Sequence, residues 1–138
     1  MHPSAPATAP PRTDTALRSA WPGALTLDVL AVALFAGIGR NAHSLGAAGL
    51  LETAWPFLTG LLAGWAVWRL PRAPFSVWPR GVALWLTTVA VGMLLRVLVG
   101  EGAAQSFLLV TLAVLAVLLL GPRCLVRLLH ARRNPRSR

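Results

Sequence analysis

Four long apolar segments dominate the sequence and leave few folds open to it. They cover roughly residues 22–39, 53–70, 79–98 and 105–120, which makes each 16 to 20 residues long. At about 1.5 Å per helical residue, each would cross most or all of a hydrocarbon layer about 30 Å thick. The first and last segments are short, which implies a thin membrane or helical flanks. The sequence therefore predicts an all-α integral membrane four-helix bundle.

The distribution of charge predicts how this bundle is oriented. The chain has a net charge of +9, with four acidic residues and 13 basic residues that are all arginine. Eleven arginines lie before the first segment, at or beside the connection between the second and third, or after the fourth, and only Arg40 and Arg96 lie elsewhere. By the positive-inside rule, both termini are cytoplasmic, and we expect a multi-pass protein of the bacterial plasma membrane (the inner membrane). No nucleic-acid partner is needed to explain the charge.

The ends of the chain differ from its middle in composition. Residues 1–20 are rich in Pro, Ala, Thr and Ser, which predicts a disordered cytoplasmic tail. A signal peptide is the alternative, but Asp28 interrupts the apolar run and no clear cleavage site follows. Gly121 and Pro122 are predicted to end the transmembrane domain, residues 21–122. Residues 123–138 are predicted to be an Arg-rich cytoplasmic tail, which suits a short interfacial helix on anionic lipid followed by a frayed end.

Three Trp-Pro pairs, Trp21-Pro22, Trp55-Pro56 and Trp78-Pro79, are interpreted as helix starts. Tryptophan prefers the membrane interface, and proline is tolerated in the first turn of a helix because its missing N–H would have no partner there. These pairs therefore predict where the first, second and third helices begin.

Asp28 is the acidic residue inside the first apolar segment, about 9 Å along its helix axis. A carboxylate at that depth costs a few kcal/mol unless it is paired, protonated or hydrated, so we expect it to face the bundle interior. Thr87 and Thr88 lie at a similar depth, and Arg69 and Arg80 lie nearer the cytoplasmic surface. Asp28 is either held by these groups as a structural contact or is a protonatable group in a transport path.

A second polar group is predicted at the opposite, outer ends of the helices. It consists of Arg40, His43, Glu52, Arg96 and Glu101. One interpretation is a rim of weak ion pairs that fix the loops. The other is a mouth or anion site in which two arginines bind a carboxylate or phosphate and the histidine titrates near neutral pH.

Gly60 and Gly64 are spaced four residues apart in the second segment, so they lie one above the other on a helix face. This spacing predicts a groove of small residues that another helix fills. The occupant could be a second copy of the chain or a helix of a partner protein.

The sequence carries no recognisable catalytic, cofactor or metal motif. Cys124 is the single cysteine, and His43 and His130 are predicted on opposite sides of the membrane. The run from Gly37 to Ala42 imitates a dinucleotide-binding fingerprint, but it ends a membrane helix where that motif needs a preceding strand. We therefore predict no cofactor, no metal and no enzymatic activity.

Six short motifs together resemble a known family. They are Asp28-Val-Leu-Ala-Val, Gly39-Arg40-x-x-His43, Thr53-Ala-Trp-Pro-Phe57, Gly64-Trp65, Trp78-Pro79-x-Gly81-Val82 and Thr88-x-x-x-Gly92-Met-Leu-Leu-Arg96. The chain resembles, over roughly residues 27–120, the small actinobacterial membrane proteins called domain of unknown function family 3054. The resemblance implies four membrane helices and no established activity. It also implies that Asp28, Arg40, His43 and Arg96 belong to the family pattern, without assigning them roles.

Three functions are compatible with these features. The first is a small homo-oligomeric transporter or channel that uses Asp28 and the outer rim. The second is an accessory or assembly subunit of a larger membrane complex, which packs a partner helix at Gly60 and Gly64. The third, an intramembrane enzyme acting on lipid, is disfavoured because no nucleophile and base are paired.

Overall fold

The structure of the protein, a computed structural model, describes residues 19–39 and 46–133. Within these residues the chain forms four long helices and no β-strand. The helices are α1 (Trp21–Gly39), α2 (Ala47–Val67), α3 (Arg80–Leu98) and α4 (Gln105–Arg133), and a single 3-10 turn, Leu70–Arg72, lies between α2 and α3. All four helices are long and apolar enough to cross a membrane. The predicted all-α four-helix membrane fold is confirmed.

The four helices form a ring in which each packs against the next and α4 returns to α1. Residues from the start of α1, the end of α2 and the start of α3 meet around one side chain of α4, so successive helices run in opposite directions. Lipid offers no hydrophobic driving force between helices, so close van der Waals packing and interhelical hydrogen bonds must stabilise this arrangement.

The predicted start of α2, at residue 53, was six residues too late. Its helix begins at Ala47, and Pro56, which was interpreted as a helix start, is buried in the interior of the helix. Membrane helices tolerate an internal proline when neighbouring groups satisfy the freed backbone carbonyl. The other two Trp-Pro pairs do mark helix starts, since α1 begins at Trp21 and Pro79 caps α3.

The predicted end of the fourth helix was also wrong, because α4 continues through Gly121 and Pro122 to Arg133. The reason is visible in its packing. Thr111, Leu115, Leu119 and Arg123 follow one another at four-residue intervals, and all are buried. The buried face therefore passes the Gly-Pro pair without interruption, and the predicted boundary between transmembrane domain and tail falls inside a helix.

The small-residue face of α2 is filled by α3 of the same chain. A Cβ atom on Gly60 would lie 2.8 Å from the backbone oxygen of Thr88 and 3.1 Å from its Cα. A Cβ on Gly64 would lie 2.7 Å from Cδ1 of Leu84. The prediction that a partner helix or a second copy occupies this groove is therefore corrected: the connection after α2 brings α3 back onto it and leaves no space.

Three phenylalanines pack together toward the end of the bundle where α1 finishes and α4 begins. The rings of Phe35 and Phe57 meet edge to face, with centroids 5.1 Å apart at 81°, and Phe107 lies 6.3 Å from the first and 6.5 Å from the second. Gly92 of α3 lies so close to the ring of Phe57 that a Cβ would overlap it. These contacts join α1, α2 and α4 in one layer, with α3 closing on the ring.

Candidate charged site within the bundle

The carboxylate of Asp28 lies inside the helix ring, where the residue is 4% exposed. Arg123 binds it in a bidentate pair: Nη1 donates to Oδ1 at 2.8 Å and Nη2 donates to Oδ2 at 2.6 Å. The indole Nε1 of Trp65 donates a third bond to Oδ2 at 2.8 Å. Three helices thus contribute to one charged cluster, Asp28–Trp65–Arg123, at the end of the bundle where α1 begins.

Arg123 reaches this position because α4 does not stop at Pro122. The arginine is 2% exposed, and its Nη1 also donates to the carbonyl oxygen of Leu119 at 2.6 Å. Gly81, in the first turn of α3, covers it from another side: a Cβ there would lie 3.2 Å from Cδ of Arg123 and 2.6 Å from the oxygen of Ser76. A glycine is therefore required for α3 to close over the arginine.

The pair neutralises two charges that would each be expensive inside a membrane. Desolvating a carboxylate and a guanidinium costs several kcal/mol per ion, and this cost is recovered only when geometry and hydrogen bonding are good. Asp28 meets this condition because its carboxylate accepts three hydrogen bonds. Arg123 does so less completely, because its Nε has no hydrogen-bond partner among the described residues. The guanidinium therefore retains one buried donor.

Thr87 and Thr88, predicted near Asp28, do not bind it. The hydroxyl of Thr88 donates to the oxygen of Leu84 at 2.8 Å, within its own helix. The hydroxyl of Thr87 donates to the oxygen of Ala83 at 2.8 Å and accepts a bond from the indole of Trp68 at 3.0 Å.

The prediction that Arg69 or Arg80 pairs with Asp28 is corrected in the same way, because the carboxylate forms its ion pair with Arg123. Sequence analysis had placed that arginine in a cytoplasmic tail.

At the other end of the bundle the structure brings together two of the predicted rim residues. Nη1 of Arg96 and Oε2 of Glu101 are 2.6 Å apart, and the guanidinium lies 4.6 Å from the ring centroid of Phe107. Nε of Arg96 is buried without a partner in the described part of the chain. Glu52 is exposed in α2 and forms no ion pair with a described residue. Arg40 and His43 lie outside the described residues.

Sequence reasoning missed two members of the buried cluster, Arg123 and Trp65. The four-residue repeat of α4 could have indicated the arginine, had the helix been continued beyond Pro122. Trp65 lies off the small-residue face of α2, yet it is only 5% exposed. Its helix packs on two sides, against α1 and against α3, whereas the spacing of Gly60 and Gly64 indicated only one of these surfaces.

The described residues give no indication of a metal centre. Within residues 19–39 and 46–133, no group of three or more His, Cys, Asp or Glu side chains is placed to hold a metal ion. Cys124 is exposed and forms no disulfide. The predicted absence of enzymatic activity stays a prediction.

Fold and site together define a multi-pass membrane protein: a four-helix bundle with an intramembrane aspartate–arginine pair. The sequence profile of the family described as Protein of unknown function (DUF3054) matches residues 25–126, and the chain belongs to that family. The resemblance noted in the sequence is thereby confirmed. No curated protein and no solved structure matches the chain. The match includes Asp28, Trp65 and Arg123, so the complete cluster lies within the family region.

Proposed function

We propose that the protein moves an ion or a small polar solute across the bacterial plasma membrane, with the Asp28–Trp65–Arg123 cluster as its central charged group. The observation that carries this proposal is the buried bidentate pair itself. Ionisable residues inside membrane segments are costly, and they commonly mark ion or solute pathways. A hydrophobic pair of similar volume would often be equally stable or more stable, so stability alone gives little reason to keep the two charges.

The positions of the two ion pairs support a carrier rather than an open channel. Asp28–Arg123 closes one end of the bundle and Arg96–Glu101 lies at the other. The phenylalanine layer around Phe57 lies between them, directly beside Arg96. A solute passing through the ring would have to separate each pair in turn, which is the behaviour of two gates.

The free donor on Arg123 indicates what kind of solute would fit. A group with oxygen acceptors, such as a carboxylate or an inorganic anion, can bind the unused Nε and compete with Asp28 for the guanidinium. Protonation of Asp28 would release the arginine for such a ligand. We therefore propose an anionic or acceptor-rich solute, whose movement is coupled to a proton on Asp28.

We also propose that both ends of the chain are cytoplasmic and that the protein acts as a homo-oligomer. An even number of spans supports this orientation, because four crossings would leave residues 21 and 133 on the same side of the membrane. The arginines of that side support the cytoplasmic orientation by the positive-inside rule. The subunit contact must lie away from Gly60 and Gly64, because α3 covers that face.

The test is flux into proteoliposomes that contain the purified protein. A proton gradient is applied across the vesicle membrane, with chloride, nitrate, phosphate or acetate supplied in turn as the anion. The pH inside the vesicles is followed with an internal dye. We expect proton-coupled uptake of at least one anion above that of protein-free vesicles. Uptake should be abolished in Asp28→Asn and unaffected in the matched control Glu52→Gln, which removes an exposed carboxylate without an ion pair to a described residue. Equal flux in wild type and Asp28→Asn would contradict the proposal.

A second candidate is an accessory subunit of a larger membrane complex. Here the favouring observation is that both oxygens of Asp28 are already bonded, as expected of a static structural contact. Native mass spectrometry of protein extracted from its own host in mild detergent separates the two candidates. A homo-oligomer supports the carrier, whereas stoichiometric co-extraction of other subunits supports the accessory role.

A further inference from the structure

Six described arginines lie at one end of the bundle and form no ion pair with a described residue. They are Arg69, Arg72, Arg80, Arg127, Arg132 and Arg133. This is the end where α2 finishes, α3 begins and α4 leaves the bundle. The one described carboxylate near it, Asp28, is already bound by Arg123. The end therefore carries uncompensated positive charge.

The last part of α4 extends beyond the start of α3. Arg123 packs against Gly81 in the first turn of α3, and ten further residues of helix follow, which adds about 15 Å along the axis. Leucines on this extension are 58%, 60% and 48% exposed at positions Leu125, Leu128 and Leu129. An extension that combines exposed leucines with arginines is suited to the boundary between acyl chains and headgroups.

Two arginines lie next to the corner at which Arg123 of α4 packs against Gly81 of α3. Arg127 follows Arg123 by four residues, so it lies on the side of α4 that is turned toward the bundle. Arg80 directly precedes Gly81, the residue against which Arg123 packs. Both residues therefore lie within about one helical turn of the contact between Arg123 and Gly81, and neither has a carboxylate partner among the described residues.

Tryptophans place this corner at the level of the lipid headgroups. Trp21, Trp68 and Trp78 all lie at the same end, and they are 41%, 42% and 72% exposed. Exposed tryptophans collect where membrane meets water, because the indole combines an apolar body with a polar N–H.

We propose that the corner between α3 and the α4 extension binds the phosphate of an anionic phospholipid. Arg80 and Arg127 contact the phosphate, and the leucines of the extension contact the acyl chains. Guanidinium groups match phosphate oxygens in a bidentate geometry. The exposed leucines and the tryptophan band favour lipid over nucleic acid, which would use the charge and leave the apolar surface unexplained. This inference is independent of the transport proposal.

The test compares lipid binding by the full chain in mild detergent, measured by native mass spectrometry during titration with phosphatidylglycerol or phosphatidylcholine. Wild type should bind phosphatidylglycerol more tightly than phosphatidylcholine. The double variant Arg80→Gln/Arg127→Gln should weaken phosphatidylglycerol binding by about 25-fold, or about fivefold per arginine. Its melting temperature without added lipid should equal that of wild type, because both arginines lack an ion pair with a described residue.

The matched control is Arg12→Gln/Arg18→Gln, which removes the same charge from the N-terminal segment. It should leave phosphatidylglycerol affinity within about twofold of wild type, because neither arginine belongs to the proposed site, whereas an arginine that contacts the lipid would contribute about fivefold. Equal weakening in both double variants would overturn the proposal, since it would show a diffuse attraction instead of a site. Equal affinity of wild type for the two lipids would overturn it as well. Binding of nucleic acid at this site would also overturn the proposal. The sign would be a single-stranded oligonucleotide that displaces phosphatidylglycerol from wild type and binds Arg80→Gln/Arg127→Gln more weakly.

Discussion

Asp28 and Arg123 lie 95 residues apart in the chain, and their closest charged atoms are 2.6 Å apart. This pair joins the first helix to the last, so it closes the ring of helices. Because both side chains are buried, each protects the other from being an uncompensated charge in a low-dielectric surrounding. The same contact is therefore both a structural closure and the proposed transport site, and stability measurements can separate the two roles.

The pair predicts a large difference between single and double substitutions. Arg123→Met leaves Asp28 buried without its cation and should destabilise the fold by about 3–5 kcal/mol. Asp28→Leu should destabilise the fold by a similar amount, because it leaves Arg123 buried without its anion. The double variant Asp28→Leu/Arg123→Met removes both charges and should recover most of that loss, because an apolar pair needs no desolvation.

The measurement is equilibrium unfolding in detergent. Additive losses in the double variant would show that the two residues act independently, contrary to the structure. If the double variant is stable but inactive in the flux assay, the charges serve function more than folding.

A second prediction concerns the helix-facing glycines of α2. Gly60→Ala should destabilise by about 1–3 kcal/mol, because the new methyl group would meet the backbone of Thr88, which cannot rotate away. Gly64→Ala should cost less, since the obstacle is the end of the Leu84 side chain. Gly37→Ala is the control.

A Cβ at Gly37 has one ordinary contact at 3.9 Å, so this substitution should be neutral or stabilising by about 0.5–1 kcal/mol through reduced backbone entropy. The order of unfolding free energies among the three variants is the readout. If Gly60→Ala proves as mild as Gly37→Ala, the close approach of α2 and α3 is not present in the folded protein.

Trp65 predicts a hydrogen-bond effect that can be separated from packing. Trp65→Phe keeps an aromatic ring but removes the donor to Asp28, and a buried bond to a charged acceptor contributes about 1.5–3 kcal/mol. Trp85→Phe is the matched comparison, because its indole donates to the neutral carbonyl of Leu112 at 3.1 Å.

We expect the loss from Trp85→Phe to be smaller, about 0.5–1.5 kcal/mol. In the Asp28→Leu/Arg123→Met background, the loss from Trp65→Phe should fall below that from Trp85→Phe, because the indole of Trp65 then has no carboxylate to bond. A Trp65→Phe effect that is unchanged in that background would indicate lost ring volume as the cause.

At the opposite end, the pair of Arg96 and Glu101 predicts a weak, salt-dependent contribution. Glu101 is partly exposed, so Glu101→Gln should cost only about 0–1 kcal/mol, and the cost should shrink as salt is added. Arg96→Gln should cost more, because it also removes the cation from above the ring of Phe107, a contact that contributes about 0.5–1 kcal/mol. Unfolding at low and high salt measures both. Equal costs for the two variants would show that the ring contact contributes nothing.

Much of the fold could be predicted because apolar length is a local property. The segments of α1 and α3 were located to within one residue, and the interior position of Asp28 followed from the cost of exposing it to lipid. The errors arose at prolines. Pro56 and Pro122 were interpreted as a helix start and a helix end, yet both lie inside helices. Proline locally disfavours the interior of a helix, but packing against neighbouring helices overrides that preference.

The sequence by itself determined that this chain crosses a membrane four times, that most of its arginines gather at one end, and that one carboxylate is buried. These follow from hydropathy and charge, which need no knowledge of neighbours. Only the tertiary structure decided which side chains meet: Arg123 with Asp28, Trp65 with the same carboxylate, and α3 against Gly60. Such contacts depend on helix rotation and register, which are set by the fit of all four helices at once.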